Sequence, residues 1–178
     1  MNIYVHYAHS NIYVHYAHSI HNVHIYSIME VGGMTMLSEI QFTEARNQFS
    51  ALYDTVFNTY SPTIIKRKQT EEVALLRVDL LKMVLAKSTM TPEVLHEENG
   101  SVTLALDQLE LYSNNDSLET ATLELIQDLK IYAQDYLQRP QLFLQAPNRK
   151  SHFPYVLRIL LCENDEEIRG LLESSNAS

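Results

Sequence analysis

The chain has 178 residues, 46% of them hydrophobic and 20% charged, with a net charge of -9 and a single cysteine, Cys162. That length holds one ordinary domain or two small ones with real cores, and a lone cysteine excludes an intramolecular disulfide or a cysteine-clustered zinc or iron–sulfur site, which fits a reducing compartment. No apolar run approaches the roughly 20 residues that cross a bilayer, and the N-terminus lacks the basic opening of a secretory signal, so the expected location is the cytoplasm with no membrane partner.

The chain opens on NIYVHYAHS written twice, at residues 2–10 and 11–19, and Val5, Val14 and Val23, each before a His, extend the nine-residue register into a decayed third copy. Repeat folds need about three or more longer units to bury a core. Back-translation gives the register another sense: Tyr-Val-His and Asn-Val-His codons can all contain TGTACA, a palindrome of the kind a two-fold dimer reads. Met29-Glu30-Val31 can encode GGAGG, a ribosome-binding sequence, shortly before Met34. Residues 1–33 are therefore expected to be upstream DNA read as protein, with the start at Met34 or Met36. The competing reading is a His-rich metal tract.

Charge is unevenly divided along the chain. Residues 34–91 hold seven basic and six acidic side chains, residues 92–112 hold five acids and no base, and residues 113–178 hold ten acids against six bases. A front able to approach an anion thus precedes a rear suited to a basic partner.

In the front, MLSEIQF alternates Ser38, Ile40 and Phe42 against Glu39 and Gln41, the period of a half-buried strand. Thr43 is expected to cap one helix of about four to five turns, with Ala45, Phe49, Leu52, Val56 and Phe57 forming an apolar stripe. Pro62 opens a hairpin whose arms are Thr63 to Lys66 and Val73 to Leu76, with RKQTE as the turn. Asp79 then caps a short helix carrying Leu80, Leu81, Val84 and Leu85 on one side. Arg46 and the run Lys66, Arg67, Lys68 are the candidate phosphate-binding residues, and arginine also offers paired donors to guanine edges. Against this stands a plainer account, in which Arg46 pairs with Glu44 or Asp54 and the basic run is a solvated turn.

The order strand, helix, hairpin, helix, with FTEARNQFSALYDTV followed by PTIIKRK and EVALLRVDLL, resembles the Phd/YefM family of antitoxins from bacterial toxin–antitoxin operons. The resemblance covers about residues 36–87, and it departs from the family in lacking a glycine at the hairpin turn. It implies a homodimer whose sheet and first helix bind operator DNA through Arg46, Lys66, Arg67 and Lys68, repressing its own operon.

Behind a linker-like KSTMTPE, Asn99-Gly100 between VLHEE and SVTLAL signals a hairpin. LELY is a third short strand, and NNDS caps a helix in which Leu118, Leu125, Ile126, Leu129, Ala133, Tyr136 and Leu137 keep helical spacing. This order is similar to the small HicB-like antitoxin module. PYVLRILL is a compact apolar segment and NDEEIRGLL a short helix with its acids at the start. The expected fold class is α+β: a β-α-β-β-α DNA-binding and dimerisation domain at residues 34–90, then an acidic α+β toxin-binding region at residues 92–178.

Six of the eight histidines lie in the repeat, and His96 and His152 have no ligand set at turn or helical spacing. Gly-rich phosphate loops and nucleophile elbows are absent. The reading is a non-enzyme with no cofactor, catalytic residue or metal site, and Cys162 is expected to be a small buried hydrophobe. Its partners are operator DNA and a cognate toxin, a basic ribonuclease of the RelE/YoeB type by family analogy. The alternative is a solitary DNA-binding regulator whose rear region senses or oligomerises.

Overall fold

A computed structural model of the chain describes residues 37–173; the repeated segment and the reading of its origin lie outside these residues. The fold is α+β, with two three-stranded sheets and helices against each. Strand β1 (Ser38–Gln41) runs into α1 (Phe42–Asn47) and α2 (Phe49–Thr59), followed by β2 (Thr63–Arg67), β3 (Glu71–Leu75) and α3 (Val78–Leu85). β1 lies parallel to β2, as a helical crossover requires, and β3 returns antiparallel. The Ser38 and Thr63 hydroxyls hydrogen-bond across the parallel pair at 3.0 Å.

The single helix expected after β1 is two helices, because Gln48 leaves helical geometry at φ -127° and ψ 34°. Its amide still donates to the Glu44 carbonyl, and its side chain donates to the Glu44 carboxylate at 3.0 Å. The expected stripe is accordingly split. Ala45, Leu52 and Val56 are buried against Ile40, Ile65 and Leu75, whereas Phe49 and Phe57 are about half exposed. A sheet of four- and five-residue strands is too narrow to cover more than one face of α2.

Two expected caps also move. Gln41 precedes α1 and Arg77 precedes α3, so Thr43 and Asp79 sit inside the first turns; Asp79 there accepts the Leu80 amide at 3.1 Å. The hairpin turn is tighter than RKQTE, and Lys68 takes it with φ at 58°, the left-handed conformation that glycine adopts most readily. Val84, expected beside Leu85, is exposed.

The second sheet holds β4 (Glu93–His96), β5 (Val102–Leu106) and β6 (Leu111–Asn115), all antiparallel, with Gly100 at φ 89° in the first turn. Helix α4 (Leu118–Gln138) follows, and the Ser117 hydroxyl accepts the Thr120 amide as its N-cap. Helix α5 (Pro140–Gln145) begins on a proline, whose missing N–H costs nothing at that position. A 3-10 turn at Lys150–His152 leads into α6 (Phe153–Leu160) and then α7 (Asp165–Glu173). PYVLRILL is thus helical.

One core joins Leu104, Leu106 and Leu109 of the sheet side, six buried residues of α4, and Val156, Ile159, Ile168 and Leu172. Lys130 pairs with Asp165 at 2.8 Å and Arg169 with Glu119 at 2.9 Å, fastening α7 to α4. The segment between α3 and β4 is fastened as well. Met90 is fully buried in this rear core, and the Arg158 guanidinium donates to the Ser88 carbonyl at 2.8 Å.

His152 is buried at 4% exposure within a ring cluster of Tyr132, Tyr136, Phe143 and Phe153, its Nδ1 2.7 Å from the Tyr132 hydroxyl. Burial, with the Arg149 cation adding to it and Glu110 opposing, holds its pKa below the ordinary histidine value. Below about pH 6.5 the unfolded chain binds a proton that the folded His152 refuses, so stability falls with falling pH in that window. The melting temperature is expected to drop between pH 7.5 and 5.5, and His152→Gln to flatten that part of the profile. Met90→Ala is expected to lower unfolding free energy by about 2–5 kcal/mol in urea titrations; a loss under about 0.5 kcal/mol, the size of an ordinary surface change, would show that the connector is loosely held.

Candidate functional site

The four basic residues singled out in the sequence fall in different settings. Arg46 stands exposed in the last turn of α1, with neither Glu44 nor Asp54 as a partner among the described residues. Lys66 lies on the sheet face turned away from α1 and α2, because adjacent strand residues point to opposite faces. There it meets Glu39 at 2.8 Å and Glu72 at 3.2 Å, and these carboxylates raise its pKa. Arg67 is on the helix-facing side at the strand end, with its guanidinium 5.4 Å from the Phe42 ring centre.

Glu71 sits 3.7 Å from Arg67 and 2.7 Å from Lys68. Arg46 follows Phe42 by four residues, one helical turn on the same side. Arg46, Phe42, Arg67 and Lys68 therefore form one exposed strip across α1 and the hairpin, while Lys66 belongs to the opposite face. Of the strip's three cations, Glu71 offsets part, leaving net positive charge toward solvent.

A second surface of the front was missed as such in the sequence. Phe49, Tyr53 and Phe57 recur down α2 at helical spacing and Tyr60 follows as its left-handed C-cap, each about half exposed, and the Tyr53 and Phe57 rings are nearly parallel at 6.0 Å. The signal was available, since this aromatic row beside Leu52 and Val56 makes an apolar band too wide for one small sheet. Val73, Val78, Met83 and Val84 are also exposed.

Arg77 organises the edge of this surface. Its guanidinium lies 3.8 Å from the Tyr60 ring centre and 4.6 Å from that of Phe57, and it donates to the Phe57 carbonyl at 2.8 Å, satisfying a free acceptor at the end of α2. It also pairs with Asp79 at 2.9 Å, and that hydrogen bond holds the Asp79 carboxyl below its ordinary range. A cleft of about 310 Å³ opens beside it, lined by Tyr53, Val56, Phe57, Leu75 and Val78.

Catalytic features are few. Cys162 is half-buried, with its thiol 3.5 Å from the Arg158 carbonyl and its pKa pushed up by burial, the opposite of an activated nucleophile. Among the described residues no group of three or more His, Cys, Asp or Glu could hold a metal ion, and no helix is long and apolar enough to cross a membrane.

Residues 36–174 match a family model, PHD-like, described as the antitoxin of RelE/RelB toxin–antitoxin systems. A crystal structure of the antitoxin part of a proposed toxin/antitoxin system from Syntrophomonas wolfei subsp. wolfei is similar in fold, with a TM-score of 0.70 and 33% identity, over 76% of this chain and 96% of that one. No curated protein sequence matches the chain.

Proposed function

This chain belongs to the PHD-like family of toxin–antitoxin antitoxins, and from that premise we propose that it acts by binding, without catalysis, in two ways. Its rear region neutralises a cognate toxin of the RelE/YoeB ribonuclease type, and its front represses the operon by binding operator DNA as a homodimer. The observation that carries the reading is the family match across all the described residues, front and rear together.

The order β1-α1-α2-β2-β3-α3 supports the narrower Phd/YefM assignment for the front, and three antiparallel strands followed by α4 support the HicB-like one for the rear. The aromatic side of α2 with its cleft gives a second copy an apolar face, of the kind buried in a two-fold interface. In such a dimer the strip Arg46, Arg67, Lys68 is doubled about the two-fold axis, a footprint for an inverted DNA repeat. Lys66, held by two carboxylates on the opposite face, contributes least. The acidic rear speeds encounter with a basic toxin.

Operator binding measured across a salt series tests the front. Arg46→Ala and Arg67→Ala are each expected to weaken binding and to reduce the salt slope by about one unit, with Lys66→Ala closer to the parent. Parental binding by both arginine variants would remove the strip from the interface. Tyr53→Glu is expected to convert the dimer to a monomer in sedimentation at micromolar concentration. An unchanged dimer would place the two-fold contact elsewhere.

A further inference from the structure

The rear sheet ends on one side at β4, whose four residues are all exposed. Its ladder with β5 pairs Glu93 with Ala105, Val94 with Leu104, Leu95 with Thr103 and His96 with Val102, and the Glu97 amide donates to the Ser101 carbonyl at 2.9 Å. Hydrogen-bonded pairs alternate along an antiparallel ladder. Counted back from Glu97, the main-chain groups of Leu95 and Glu93 face β5, and those of Val94 and His96 face outward. Among the described residues no hydrogen bond meets the outward groups. An unpaired edge of this kind is a template for an added strand.

Its surroundings select which strand. Between Lys87 and Lys130 the sequence has no Lys or Arg, so this sheet and its turns present Glu93, Glu97, Glu98, Asp107, Glu110 and Asp116 without a basic residue of their own. Glu110 is answered by Arg149 at 2.9 Å, and Glu97 accepts the Thr103 hydroxyl at 2.7 Å. Glu93 and Glu98 beside the edge have no ion-pair partner among the described residues. Two such edges repel each other, which disfavours a second copy, whereas a basic strand gains from the same charges. Val94 and Leu95, each more than two-fifths exposed on opposite faces of the strand, offer apolar contact to either side of the incoming chain.

We propose that the outer edge of β4 receives an extended basic segment of the toxin as a fourth strand of the rear sheet. The assignment rests on the toxin-binding reading above. The experiment titrates the full chain with the protein encoded by the adjoining toxin gene, by calorimetry at low and high salt, beside operator binding and thermal unfolding.

Val94→Pro removes one outward N–H that the β5 ladder does not use, at an edge position where proline is tolerated. It is expected to weaken toxin binding roughly ten-fold or more while Val94→Ala stays within about three-fold, since the main chain carries the contact. Glu93→Lys with Glu98→Lys leaves the backbone alone and is expected to weaken binding and lessen its salt dependence, which keeps the test decisive if the proline variant unfolds. Parental toxin binding by the charge-reversed chain, or by a folded Val94→Pro chain, overturns the edge and leaves toxin binding standing. A parent chain that binds no toxin overturns both. A changed sedimentation coefficient of the toxin-free Val94→Pro chain would give the edge to a second copy and overturn the toxin strand.

Discussion

The rear of the molecule depends on α4 being packed from two sides at once. Its 21 residues include Ala121, Leu125, Ile126, Leu129, Ala133 and Tyr136, all buried and all in one core with the sheet residues Leu104 and Leu106 and with Val156 and Ile159 of α6. Most of the stability of a helix in a protein comes from the packing of its apolar face. Here the sheet and the C-terminal helices supply the apolar cover, and Ser113 adds a buried hydrogen bond to the Ala121 carbonyl at 2.8 Å. The front has no counterpart. Its core cluster has three buried hydrophobics, Ala45, Leu52 and Val56, and its aromatic side chains are each about half exposed.

Charge is handled differently in the two regions. In the front, pairing decides which cations remain free to act: Lys66 is taken up by Glu39 and Glu72, while Arg46 has no such partner among the described residues. In the rear, bases are spent on internal fastening. Lys130, Arg149 and Arg169 each hold an acid on a neighbouring element, so the surplus carboxylates face solvent. Net charge per segment, read from the sequence, gives the sign of each region but not this partition, because the partition depends on register across strands.

The sequence carried the element order well. Alternation found β1, Asn99-Gly100 found the β4–β5 hairpin, and the residues before Leu118 found the cap of α4, each a local rule acting on local residues. The break at Gln48 was illegible, since neither glycine nor proline marks it. The same holds for the buried Met90, whose place depends on a core assembled from residues far along the chain. PYVLRILL illustrates the ambiguity of a short apolar run, which periodicity alone assigns to strand or helix indifferently. Of the candidate site, residue types were legible and geometry was not: Lys66 and Arg67 are adjacent in sequence and point to opposite faces.

The connector between α3 and β4 has its middle fixed, by the Met90 side chain inside the rear core and by Arg158 on the Ser88 carbonyl. A chain segment held at two residues this close in sequence is anchored to the rear and does not act as a loose tether. Detaching this connector from the rear means withdrawing a methionine from a close-packed interior and leaving its volume empty. Movement of α6 is therefore passed to Ser88, three residues past the end of α3, a helix that itself packs on α6.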